Sequence, residues 1–183
     1  MKPLKDIPSE EAAILASLRE CVARIQQLIA PAITDVSSGV ALLRLLRSEA
    51  AEDINQLQHA ALALEAARHI QTQRPETASL DWYWHPFQTG GIDEPDLQAR
   101  SGSEVVISAE ATASERPDGV IDTRMAHTLQ KLQAMSGERF YFVRTESMQR
   151  RAQTKVQKAG YAISIATIRN ASQREAVHLP PSL

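Results

Sequence analysis

The chain has 183 residues, 43% of them hydrophobic, a formal net charge of −2 and a single cysteine. That length supports one compact core with an appendage and argues against two independent domains, and a charge so near zero excludes binding through bulk positive potential. Cys21 has no histidine or second cysteine at ligand spacing, which excludes a disulfide framework and a cysteine-based zinc site.

The first 74 residues read as helices. Ser9 offers an N-cap ahead of Glu10 and Glu11, and the following stretch to Ala30 carries Ile14, Leu18, Val22, Ile25 and Leu28 or Ile29 at helical spacing. A break near Pro31 leads to a short helix over 39–48. A second break around Ser48 leads to a helix over 52–71, with Ile54, Leu57, Ala61 and Leu64 on one face and Glu65 on its flank beside Arg68.

From residue 80 the period changes. Residues 80–86 (LDWYWHP) alternate, with Trp82 and Trp84 on one strand face; they read as core, and stacking on bases is the competing reading. His85 reads as a turn histidine, with a proton shuttle as the alternative. Residues 90–100 turn into a short strand, and 103–113 form a β-branched, small-residue run typical of a buried strand. Residues 122–135 return to helical spacing with Asp122 as N-cap, 139–145 form a strand, 147–158 a helix stopped by Gly160, and 161–168 a last strand. Residues 169–183 have no period. The expected architecture is an α/β sandwich with a mixed sheet: a hairpin first, then parallel crossovers. Its expected division is an N-terminal helical extension over 1–48, a core over 49–168 and an irregular tail over 169–183.

Charge is unevenly spread. Residues 1–114 carry 9 Lys+Arg against 16 Asp+Glu, whereas residues 115–183 carry 11 against 6. On the 147–158 helix Arg151, Lys155 and Lys158 form a basic stripe with Arg150 adjacent, able to follow phosphates or to serve as a solvated outer face. Arg124, Thr128 and Lys131 share one flank of the preceding helix. No run of about 18 apolar residues occurs, and residues 1–13 lack a secretory apolar segment, so a soluble, cytoplasmic protein is expected. No GxGxxG, P-loop or GxSxG pattern is present.

The stretch 95–112, PDLQARSGSEVVISAEAT, concentrates the chemistry. Along the strand Val106, Ser108, Glu110 and Thr112 point to one face. If Pro95–Arg100 is the neighbouring strand, Asp96 lies across from Glu110 and the two carboxylates converge, the kind of oxygen pair that suits a hard divalent cation.

This arrangement resembles the PD-(D/E)XK nuclease superfamily, with its restriction-endonuclease-like fold, over about residues 50–168 of the chain. The resemblance implies Mg²⁺ (or Mn²⁺) held by Asp96 and Glu110, Glu65 as the additional helical acid, and hydrolysis of DNA phosphodiester bonds. Thr112 stands where the family has its lysine and cannot supply that positive charge, so Lys131 becomes the substitute candidate. Arg124, Arg150, Arg151, Lys155 and Lys158 are the nucleic-acid contacts so implied, and a homodimer through the N-terminal helices is the expected assembly. The alternative is a catalytically degenerate nucleic-acid-binding or assembly module on the same fold.

Overall fold

The structure, a computed structural model, describes residues 1–87 and 94–168. Asp6, in extended conformation, accepts a hydrogen bond from the Ser9 amide and starts α1 (Ile7–Ile29). The cap therefore precedes the expected Ser9, because Pro8 in the first turn lacks only an N–H that would be unpaired there anyway. Asp35 and Ser38 then form a reciprocal cap on α2 (Val36–Gln73), which is continuous. The break expected at Ser48 is absent: the Ser48 hydroxyl donates to the Leu45 carbonyl at 3.0 Å, so its polarity is satisfied inside the helix, and no glycine or proline interrupts the helix there. The backbone has no boundary at residue 48.

Six strands form one mixed sheet in sequence order: β1 (Lys2–Pro3), β2 (Asp81–Trp84), β3 (Leu97–Ser101), β4 (Glu104–Thr112), β5 (Glu138–Val143) and β6 (Ser164–Thr167). β1 to β4 are antiparallel neighbours, whereas β4, β5 and β6 are parallel. The α/β class, the hairpin and the two crossovers agree with the pattern of the sequence. β1, which draws Leu4 into the core, was not anticipated. The crossovers are α3 (Val120–Gln133) and α4 (Glu146–Ala159). Asp122 lies in the first turn of α3 and is not its cap, which is Gly119. Residues 88–93, with Gly90 and Gly91, and the tail from 169 lie outside the described residues.

Alternation along the strands builds two cores. On one face Ala109, Ala111 and Phe142 join Trp82 and Trp84 under the alanine-rich side of α2, where Ala60, Ala63, Ala66 and Ala67 are fully buried. These small side chains let the helix backbone approach closely over the two tryptophans, which are core and not a stacking platform. On the other face Tyr141 and Val143 pack with Met125, Leu129 and Leu132 of α3 and Met148 and Ala152 of α4. Gly137 has φ +78°, and a Cβ there would lie 2.5 Å from the Val106 carbonyl oxygen. Only glycine permits that approach.

The stripe expected to bury α1 is only partly covered. Val22 and Ile29 of α1, Ile33 of the connection and Val40 and Leu43 of α2 are exposed. No helix among the described residues is long and apolar enough to cross a membrane.

Candidate active site

The β3–β4 register fixes the site. Leu97 pairs with Ala109, so Asp96, one residue before the strand, sits beside Glu110 and Ala111. The Ala111 amide donates to Asp96 Oδ2 at 2.8 Å, and the carboxyl groups of Asp96 and Glu110 lie close enough to act on each other's proton affinity. Both residues are buried. They sit near the C-terminal ends of parallel strands, where open α/β sheets place their ligands.

Two further side chains close on this pair. Lys131 of α3 brings its ammonium to 2.5 Å from Glu110 Oε1 and donates to the Glu94 carbonyl at 3.1 Å. His59 of α2, 4% exposed, places Nε2 at 3.0 Å from Asp96 Oδ2. Buried polar atoms without a hydrogen bond are rare in folded proteins. Nδ1 of His59 is such an atom: it is buried and has no hydrogen-bond partner among the described residues.

The two acids are driven apart in proton affinity. Burial and the negative charge of Asp96 push the Glu110 carboxyl well above the usual range, only partly offset by Lys131. Burial also acts to raise Asp96, but His59, the Ala111 amide and the Glu110 carboxyl together hold it below its ordinary value. A shared proton on the Glu110 side is the outcome expected for two carboxylates so close.

Thr112 accepts a hydrogen bond from the Tyr141 hydroxyl at 2.8 Å. Burial raises Tyr141 to about 12. A neutral hydroxyl pair thus occupies the strand position where the family has its lysine. Glu65 does not join the acids: it forms an ion pair with Arg144, a residue at the end of β5 that the sequence reading did not consider. His59 was also missed, and its contact with Asp96 is what the structure adds to the group. His85 bonds to Glu94 at 2.6 Å, outside the carboxylate pair.

The basic stripe is partly neutralised. Arg151 makes a two-pronged contact with Asp122 at 2.7 and 2.8 Å, and Lys155 reaches the same carboxylate at 3.1 Å. These two cations hold Asp122 far below the usual carboxylate range. Arg124, Arg150 and Lys158 are exposed and form no ion pair among the described residues.

A pocket of about 590 Å³ opens beside the acids between α2 and α3, lined among others by Asn55, His59, Thr112, Arg124 and Thr128. Among the described residues no group of three or more His, Cys, Asp and Glu side chains is arranged to hold a metal ion. The pair itself fits a hard cation: two adjacent buried carboxylates, each crowded by the other's charge, match the one or two carboxylates with which proteins usually hold Mg²⁺, waters and substrate phosphate completing the shell. Comparison with known protein families, curated proteins and solved structures finds no match.

Proposed function

We infer that the chain is a divalent-cation-dependent phosphodiesterase acting on DNA, built on a restriction-endonuclease-like version of the mixed sheet. The observation that carries this reading is the pairing of Asp96, just before β3, with Glu110 of β4, each close enough to shift the other's proton affinity, with the Lys131 ammonium 2.5 Å from Glu110.

Asp96 and Glu110 would hold Mg²⁺ or Mn²⁺. The bound cation would acidify a water and neutralise charge on the phosphate. Asp96 is kept ionised and oriented by the Ala111 amide and His59. Glu110, whose carboxyl is pushed well above the usual range by burial and the Asp96 charge, must be ionised for both carboxylates to act as ligands, which couples ligand binding to pH. Lys131 places the positive charge that Thr112 cannot supply, aimed at developing negative charge on the phosphate. Arg124, Arg150 and Lys158, free of carboxylate partners among the described residues, are the cations that would contact the strand backbone. A homodimer through the exposed apolar residues of α1 and α2 belongs to the same proposal, since cutting both strands calls for two centres.

Cleavage of plasmid, linear and single-stranded DNA in Mg²⁺ and in Mn²⁺ tests the reading. Cutting that disappears in Asp96→Ala and in Glu110→Ala supports it; absence of cutting from the wild-type protein in either metal refutes it. Salt-sensitive DNA binding without cutting would favour the degenerate binding module, a reading supported by the Thr112–Tyr141 hydroxyl pair at the lysine position.

A further inference from the structure

We propose that the pocket between α2 and α3 receives one unpaired nucleotide of the substrate strand, base against α2 and phosphate toward α3, so that single-stranded or frayed nucleic acid is preferred to an intact duplex. The inference rests on the reading above, which supplies the strand.

Its volume of about 590 Å³ lies within the range of single small-molecule sites. The two walls differ in chemistry. On α2, Glu52, Asn55 and His59 fall at i, i+3 and i+7 and share a stripe facing the pocket, with Gln58 beside them. Asn55 and Gln58 are exposed and form no side-chain hydrogen bond among the described residues. Amides pair with adenine edges, and a carboxylate accepts from cytosine amino groups. On α3, Arg124, His127 and Thr128 line the opposite side, and Lys131, on the same flank one turn further on, ends at Glu110. The cationic wall thus belongs to the helix whose next turn carries the lysine that contacts Glu110. Ile121 and Met125 add an apolar surface suited to the face of a base.

A second, independent observation points to a ligand. His59 lines this pocket and is 4% exposed; its Nε2 lies 3.0 Å from Asp96 Oδ2, whereas its buried Nδ1 has no hydrogen-bond partner among the described residues. A polar group in that state is satisfied by something that enters. A base inside a pocket closed between two helices cannot remain stacked in a duplex, which is why the geometry selects unpaired nucleotides.

The test is binding, measured on the wild-type protein in EDTA so that no cutting intervenes. Fluorescence anisotropy would compare a labelled single strand of about 12 nucleotides, within the site sizes of single-strand grooves, with the blunt duplex of the same sequence. The single strand should bind about tenfold tighter, and the Asn55→Ala, Gln58→Ala double variant should lose about tenfold on the single strand alone, as expected for the loss of one base-edge contact. Its melting temperature should match wild type, because both side chains are exposed. Equal or tighter duplex binding, or a single-strand affinity untouched by the double variant, overturns the proposal. Cleavage measured in parallel separates the two readings. Cutting without single-strand preference sinks the pocket alone, preference without cutting sinks the nuclease alone, and no binding of either probe sinks both.

Discussion

Replacing Lys131 with methionine keeps most of the side-chain volume and removes the charge that lies 2.5 Å from Glu110 Oε1. If that ammonium faces the developing charge of the reaction, its loss should lower kcat/KM by about 10²- to 10³-fold, or about 2.7 to 4 kcal/mol, as for removal of one preorganised donor. The same change acts on stability with a definite pH dependence. Glu110 already titrates above its unfolded value because of burial and the Asp96 charge, and Lys131 is the group that pulls it back. Without the lysine, Glu110 titrates higher still. Below the wild-type value both proteins keep the proton, and the substitution costs little. Between the wild-type and variant values only the wild type has released it, so the deficit of the variant should grow by about 1.4 kcal/mol per pH unit across that window and then level off. Urea denaturation at intervals from pH 5 to about 9 and single-turnover cleavage read the two effects. A rate within threefold of wild type together with a stability deficit flat in pH would refute the reasoning, since Lys131 would then be a solvated helix lysine.

Four further outcomes follow from the same geometry. Glu110→Gln should abolish cleavage yet flatten the pH–stability profile: in the wild type the folded state holds an extra proton above the unfolded value of Glu110, so stability falls as pH rises through the raised folded value, and denaturation of the two proteins should converge in acid and separate in favour of glutamine at high pH. Asp122→Asn releases Arg151 and Lys155, and DNA binding should tighten with a salt slope steeper by about one to two phosphate contacts in a log–log titration. Gly137→Ala should destabilise by more than about 1 kcal/mol, read from the urea midpoint, because φ is positive and the Val106 carbonyl blocks the Cβ. Light scattering should show a dimer that Leu43→Glu dissociates, since Leu43 is 67% exposed and a charge in an apolar contact is strongly unfavourable.

The sheet and the convergence of the two acids were legible because their signals are local. Alternation along 104–112 marks a half-buried strand, and the short turn at Gly102, with φ +59°, makes β3 and β4 a hairpin; a register shift at Ala99–Arg100, which the sequence did not signal, then sets Leu97 against Ala109 and Asp96 beside Glu110. Lys131 was legible as a flank position of α3. What failed depends on partners distant in sequence. Glu65 sits on a helix flank that suits a third acid, yet the buried Arg144 captures it. His59 lies in an alanine- and leucine-rich helix and reads as core until the fold brings Asp96 to it. Asp122 has the composition of an N-cap, but the turn begins at Gly119 and its carboxylate is free to neutralise α4. The continuity of α2 through Ser48 was hidden by a serine whose hydroxyl bonds within its own helix.

The account stands on Asp96 and Glu110 sharing one divalent ion, and calorimetric titration of the protein with Mn²⁺ at pH 8 measures that directly. One ion should bind, and binding should vanish in both Asp96→Asn and Glu110→Gln while each variant remains folded. No bound Mn²⁺, or binding that persists in either variant, would contradict it.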